Sequence, residues 1–167
     1  MTQERIHATI TVDAPIETVF DLLADPSTHQ AIDGTGWVRE SRDGNRLTAT
    51  GQIFRMGMYH DNHPDKDYEM ANRIEVFDRP NAIAWQPGSG PDGAMTSASS
   101  RDADLVFGGW IWRYDLEPLG LAKTEVTLTY DWSGVPAQSR GHIQFPPFDN
   151  SHLDNSLKHL AELAERT

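Results

Sequence analysis

Apolar and polar residues alternate through much of the chain, most cleanly over residues 5–12, 110–116 and 126–132. Ile6, Ala8, Ile10 and Val12 interleave with His7, Thr9 and Thr11, which predicts a half-buried strand over residues 5–12. Further on, Trp110, Trp112, Tyr114 and Leu116 occupy every second position, and so do Val126, Leu128, Tyr130 and Trp132. Strand side chains point to opposite faces in turn, so each run lays an aromatic surface on one side. The other side carries Arg113, Asp115, Glu117, Glu125, Thr127, Thr129 and Asp131, which faces Asp131 away from the wall. Two adjacent antiparallel strands with this pattern, joined at Pro118-Leu-Gly120, would form a concave wall of indoles and phenols.

Between these runs the period changes. Asp13-Ala-Pro15 stops the first strand, and Pro15 suits a first helical position. Ile16, Val19, Phe20 and Leu23 then recur at helical spacing, with Glu17 at the positive end of the helix dipole. Asp25-Pro26 caps and starts a second short helix that runs to about Ala31, before Asp33-Gly-Thr-Gly36. Strands are predicted over Trp37–Arg42, a turn at Asp43-Gly44-Asn45, then Leu47–Phe54. Residues 60–67 read as a polar loop. Tyr68, Met70, Asn72, Ile74 and Val76 alternate as the inner side of another strand, and Ile83 and Trp85 follow the Arg79-Pro-Asn81 turn. Residues 87–104 are rich in Gly, Ser and Asp and predict a long loop. From about Asn150 to Arg166 a final helix puts Leu153, Leu157, Leu160 and Ala164 on one stripe, capped by Asn150 or Ser151.

The order β-α-α-β(several)-α predicts an α+β fold: an antiparallel sheet of about six to seven strands curved around a long C-terminal helix. With 167 residues and no internal repeat, a single domain over 1–167 is expected.

Composition narrows the function classes. A formal net charge of −11 argues against a phosphate backbone or an anionic membrane surface as the main partner. The absence of cysteine removes disulfides, thiolate catalysis, zinc-thiolate sites and iron–sulfur clusters. No apolar run approaches the roughly 20 residues of a membrane span, and no signal segment opens the chain, so a cytoplasmic protein without membrane insertion is expected. No Gly-x-Ser-x-Gly or P-loop run occurs, no cofactor is implied, and no nucleophile–base–orienter set can be assembled from spacing.

The candidate ligand-binding residues lie on the aromatic wall. Trp85, Trp110, Trp112 and Trp132, four of the five tryptophans, join Tyr68, Tyr114 and Tyr130 on one side. So many polar tips are easier to satisfy around a cavity than inside a dry core. Asn72 falls between Met70 and Ile74 on that side, where its amide would either bond to a bulged backbone or orient a ligand. Leu153 and Leu157 would face the wall from the last helix. His60-Asp-Asn-His63, with Asp65 and Asp67, reads as a solvated acidic loop rather than a metal site; the alternative is that this loop forms a lid over the pocket, with Met56, Met58 and Tyr59 contacting the ligand. His152 and His159 share one flank of the last helix, and His29 with Asp33 could reach a pocket mouth. His152, His29, His60 and Tyr59 are therefore the candidate acids or bases.

The segments Ile10-Thr-Val-Asp-Ala-Pro-Ile-Glu-Thr-Val-Phe-Asp-Leu-Leu-Ala-Asp-Pro26, Ile83-Ala-Trp85, Trp110–Pro118, Thr124–Trp132 and Leu153–Leu163 together make the chain resemble the START/Bet v 1-like (SRPBCC) superfamily. Its polyketide cyclase/dehydrase and lipid-transport group is the nearest in pattern. The resemblance implies a helix-grip fold along nearly the full length. It implies no single chemistry, because the family has no shared catalytic motif. Three functions stay open: binding of a small apolar or aromatic molecule between sheet and last helix, a cyclase/dehydratase-type enzyme working through a pocket acid or base, and a protein-interaction module using the apolar groove.

Overall fold

The computed structural model describes residues 4–33, 38–41, 46–59, 67–89, 106–107, 109–135 and 151–166. Strands β1 (Arg5–Val12), β2 (Val38–Ser41), β3 (Ile53–Tyr59), β4 (Asp67–Asp78), β5 (Ala82–Ser89), β6 (Val106–Phe107), β7 (Ile111–Pro118) and β8 (Thr124–Asp131) form one antiparallel sheet. Its order is β1-β8-β7-β5-β4-β3-β2, with β6 pairing β5 off that path. Helix α1 (Ile16–Leu23), a 3-10 turn (Pro26–Thr28) and α2 (His29–Ile32) follow β1, and α3 (Ser151–Glu165) comes last. α3 packs across β1 and β8 and against α1 and α2. The arrangement is an α+β helix-grip fold, as the periodicities predict.

The helical stripe is buried as expected: Leu153, Leu157, Leu160 and Ala164 are at most 1% exposed. It meets Val12, Val126 and Leu128 of the sheet and Val19, Phe20 and Leu23 of α1 in one apolar core. β8 alternates buried and half-buried without a break. Its outward row, paired through Thr9 and Thr127 (3.1 Å) and beside Arg113–Asp115 (3.0 Å), supplies the polar face.

The structure departs from the periodicities at several places. Pro15 is the N-cap of α1, one position before the helix, and its ψ of 150° is extended. The strand expected over 47–54 is instead β3, Ile53–Tyr59. Residues 46–52 fold back on themselves. Gln52 accepts from the Thr48 N–H (2.7 Å) and donates to the Arg46 carbonyl (3.0 Å), and Gly51 turns at φ +91°. Tyr59 and Asp67 are paired strand residues of β3 and β4, so Asp67 belongs to a strand and not to the loop expected over 60–67, while residues 60–66, the body of the expected lid, lie outside the described residues. Val76 does not continue the inner row. The register shifts between Ile74 and Val76, leaving Glu75 as the extra residue, and a bulge of this kind reverses the alternation. Phe77 therefore packs on the core, edge-on to Phe20 at 5.3 Å. Residues 87–89, expected in a loop, complete β5, and β6 raises the count to eight strands among the described residues. The turn expected at 43–45, His60, His63, Asp65 and the rest of the 90–105 segment lie outside the described residues.

Candidate functional site

The turn after α1 sets the first part of the site. A helix leaves its last carbonyls without intrahelical partners. Here the Thr28 hydroxyl donates to Leu22 O (2.6 Å) and His29 Nε2–H donates to Leu23 O (2.8 Å). Asp25 caps the intervening turn by accepting from the Ser27 N–H at 3.0 Å. His29 is thereby held with its ring stacked on Trp85, centroids 5.0 Å apart and planes 19° apart, and edge-on to Phe54 at 5.5 Å. Burial lowers the His29 pKa below its ordinary 6.5, outweighing the opposing effects of the Leu23 bond and the Asp25 charge. At neutral pH this imidazole is uncharged.

The end of α2 meets the last helix through two histidines. His159 Nδ1 lies 3.2 Å from both the Ile32 and the Asp33 carbonyls, so it donates to the C-terminal end of α2. Two turns earlier on α3, His152 Nε2 stands 4.0 Å from Asp33 Oδ1, at ion-pair separation, with the side chains only 8% and 10% exposed. The second carboxylate oxygen of Asp33 accepts from the Val38 N–H at 3.2 Å. Asp33 is thus fixed by α2, β2 and α3 together. His152 sits edge-on to Trp112 with centroids 5.6 Å apart.

Trp112 brings in the wall. It pairs with Trp85 across β5–β7 and with Tyr130 across β7–β8, with the Trp112 and Tyr130 ring centroids 4.6 Å apart. Tyr130 continues to Trp132 (5.8 Å), and Trp85 to Tyr114 (5.8 Å) and Phe54 (5.8 Å). Burial pushes both phenols well above the usual tyrosine range, and the Asp33 charge adds to the shift at Tyr114. Both remain neutral hydrogen-bond donors at physiological pH. Tyr114, Tyr130 and Trp132 are buried, yet Trp85, Trp110 and Trp112 are only half-buried.

The structure therefore gathers Trp85, Trp112, Tyr114, Tyr130, Trp132, His29 and His152 around one end of the inner face, with Trp110 at the entry to β7. Leu153 and Leu157 lie deeper, in the helix–sheet core, and Met56 is buried on β3. Asn72 is buried, and its amide nitrogen is 3.5 Å from the Phe54 carbonyl, too long for a strong bond. The side chains of Met58, Tyr59, Tyr68 and Met70 lie outside the described residues. Among the described residues, no group of three or more His, Asp or Glu side chains is arranged to hold a metal ion, and no helix is long and apolar enough to cross a membrane. Phe54 escaped sequence reasoning, which ended a strand at that residue. Asp33 and His152 were each named from the sequence, but their pairing spans most of the chain and was not.

No family model matches the sequence. Two curated relatives from Mycobacterium tuberculosis, the uncharacterized proteins Rv0088 and MT0096, are 26% and 25% identical over 164 residues. That match covers 97% of this chain but spans only 63% of the relatives' own length. Among solved structures, protein CV1439 from Chromobacterium violaceum aligns with a TM-score of 0.63 at 19% identity, covering 97% of both chains. Norcoclaurine synthase from Thalictrum flavum, in complex with dopamine and hydroxybenzaldehyde, aligns with a TM-score of 0.58 at 15% identity, covering 97% of this chain and 86% of the synthase. The fold is Bet v 1-like. At these identities the likeness fixes the architecture alone.

Proposed function

We propose that the protein binds a small apolar or aromatic molecule against the indole and phenol wall, between the sheet and α3, as a member of the START/Bet v 1-like superfamily. The observation that carries this reading is the incomplete burial of Trp85 and Trp112 on the inner face. Their neighbours Ile74, Tyr114 and Tyr130 are at most 5% exposed, whereas the two indoles keep accessible surface. Covering such surface is worth about 25 cal/mol per Å², so a planar apolar ligand gains most where the protein has not closed over its own rings. The aromatic faces offer stacking, and the neutral Tyr114 phenol and neutral His29 ring offer orientation without the cost of desolvating a charge. The norcoclaurine synthase complex supports the reading to this extent: a protein of this fold holds small aromatic compounds.

Native mass spectrometry of the purified chain tests it. The expected result is a copurifying small-molecule adduct, or a rise in melting temperature with a member of an apolar and aromatic compound library. A ligand present at about 100 times its Kd stabilises by about 2.7 kcal/mol. No adduct and no stabilising compound would overturn the proposal.

A further inference from the structure

We propose that His152, Asp33 and Tyr114 form a proton-transfer centre at the aromatic end of the inner face, acting on a planar carbon acid held against Trp85 and Trp112. The inference rests on the small-molecule reading above and adds a reaction to it. A binding wall for an apolar ligand has no need of a carboxylate and an imidazole, each about nine-tenths buried, facing each other at 4.0 Å. Burying two ionisable groups costs several kcal/mol per ion unless they are paired and hydrogen-bonded. Here the carboxylate is fixed from three elements and the imidazole is set edge-on to an indole that remains half-buried.

The division of roles follows from the geometry. His152 is the catalytic base, because its ring meets the wall at Trp112. Asp33 is a positioning residue: its Oδ1 stands 4.0 Å from His152 Nε2, beyond hydrogen-bond distance, and its charge stabilises the imidazolium formed on proton uptake. Tyr114 lies beside Trp85, and its protonated phenol is a donor for the oxygen on which charge develops. The step balances within the substrate. A C–H bond next to a carbonyl breaks, its proton passes to the His152 ring, and the electron pair moves to the carbonyl oxygen as an enolate bonded to Tyr114. Return of the proton from His152 completes the cycle without an oxidant or reductant. The substrate class is an aromatic or flat conjugated molecule carrying an acidic C–H beside an electron-withdrawing group.

The probe 5-nitrobenzisoxazole tests the centre directly. A base removes its ring C–H proton as the N–O bond breaks, releasing a coloured phenolate, and the flat nitroaromatic quenches tryptophan fluorescence on binding. The full chain is expected to open it, with kcat falling about a hundredfold in His152→Asn. Asp33→Asn, which keeps an oxygen for the Val38 N–H, is expected to lower kcat about tenfold with KM within about twofold. A purely structural role would not give that split. His7→Gln, on the exposed row of β1, is expected to leave turnover unchanged. Thermal melts accompany each variant, and if His152→Asn does not fold, Asp33→Asn decides alone. Quenching without turnover above that of the Asp33→Asn, His152→Asn double variant would overturn the proton-transfer centre and leave the binding reading standing. Absence of quenching by this and every other aromatic probe would remove both.

Discussion

The inner face has two ends that share β7, and they differ in completeness. At one end, Val12 of β1, Leu116 of β7 and Val126 of β8 meet Phe20 of α1 and Leu160 and Ala164 of α3, and every one of these side chains is buried. At the other end, Trp85 of β5 and Trp112 of β7 meet His29, Asp33 and His152, and the indoles keep part of their surface accessible. Aliphatic side chains interdigitate to crystal-like density and leave nothing to bind. Stacked rings and paired ionisable groups have stricter geometry, so they close less fully. A single sheet face thus packs fully at one end and leaves indole surface uncovered at the other.

Three substitutions would break or sharpen this contrast. The largest effect belongs to the closed end. Leu160→Ala removes a fully buried side chain from between α3 and the sheet, and urea denaturation is expected to show a loss of about 2–5 kcal/mol. Ligand-probe affinity in the surviving folded protein should change little. At the open end the weights reverse. Trp112→Leu is expected to weaken aromatic-probe binding about tenfold, or about 1.4 kcal/mol, read by fluorescence titration. Its cost in stability should be smaller than that of Leu160→Ala. An equal or larger stability loss would show that Trp112 is core, and the contrast would collapse.

The smallest effect is the pH response of His29. Its folded pKa is lowered, so the unfolded chain takes up a proton first as pH falls. Stability is therefore full above pH 6.5 or so and declines as pH drops from there through the depressed folded pKa. His29→Gln, which retains a donor for the Leu23 carbonyl, is expected to flatten that part of the curve of melting temperature against pH. A curve as steep as that of the parent chain would assign the acid loss to other groups.

The legible part of this molecule was local. Period-two alternation in 5–12, 110–116 and 126–132 placed β1, β7 and β8 on their faces, and the Leu153–Ala164 stripe placed α3 against them. These patterns reflect backbone geometry and burial, which neighbouring residues along the chain already encode. Less was legible wherever a side chain redirected the backbone. Gln52 closing residues 46–52 moved β3, and the extra residue Glu75 exchanged Phe77 for Val76 in the core. Both devices are single hydrogen-bond or register events that no hydrophobic period records.

The same division separates the wall from its chemistry. The sequence by itself determined that an aromatic face exists and that a striped helix must cover it, because both follow from residues two, three or four apart. Only the tertiary structure decided that Asp33, at the end of α2, faces His152 on α3, and that His29 lies flat on Trp85. Those meetings depend on how the sheet curves and where α2 docks. Such contacts join residues far apart in the chain, and their side chains carry no periodic signal of the partner they will meet.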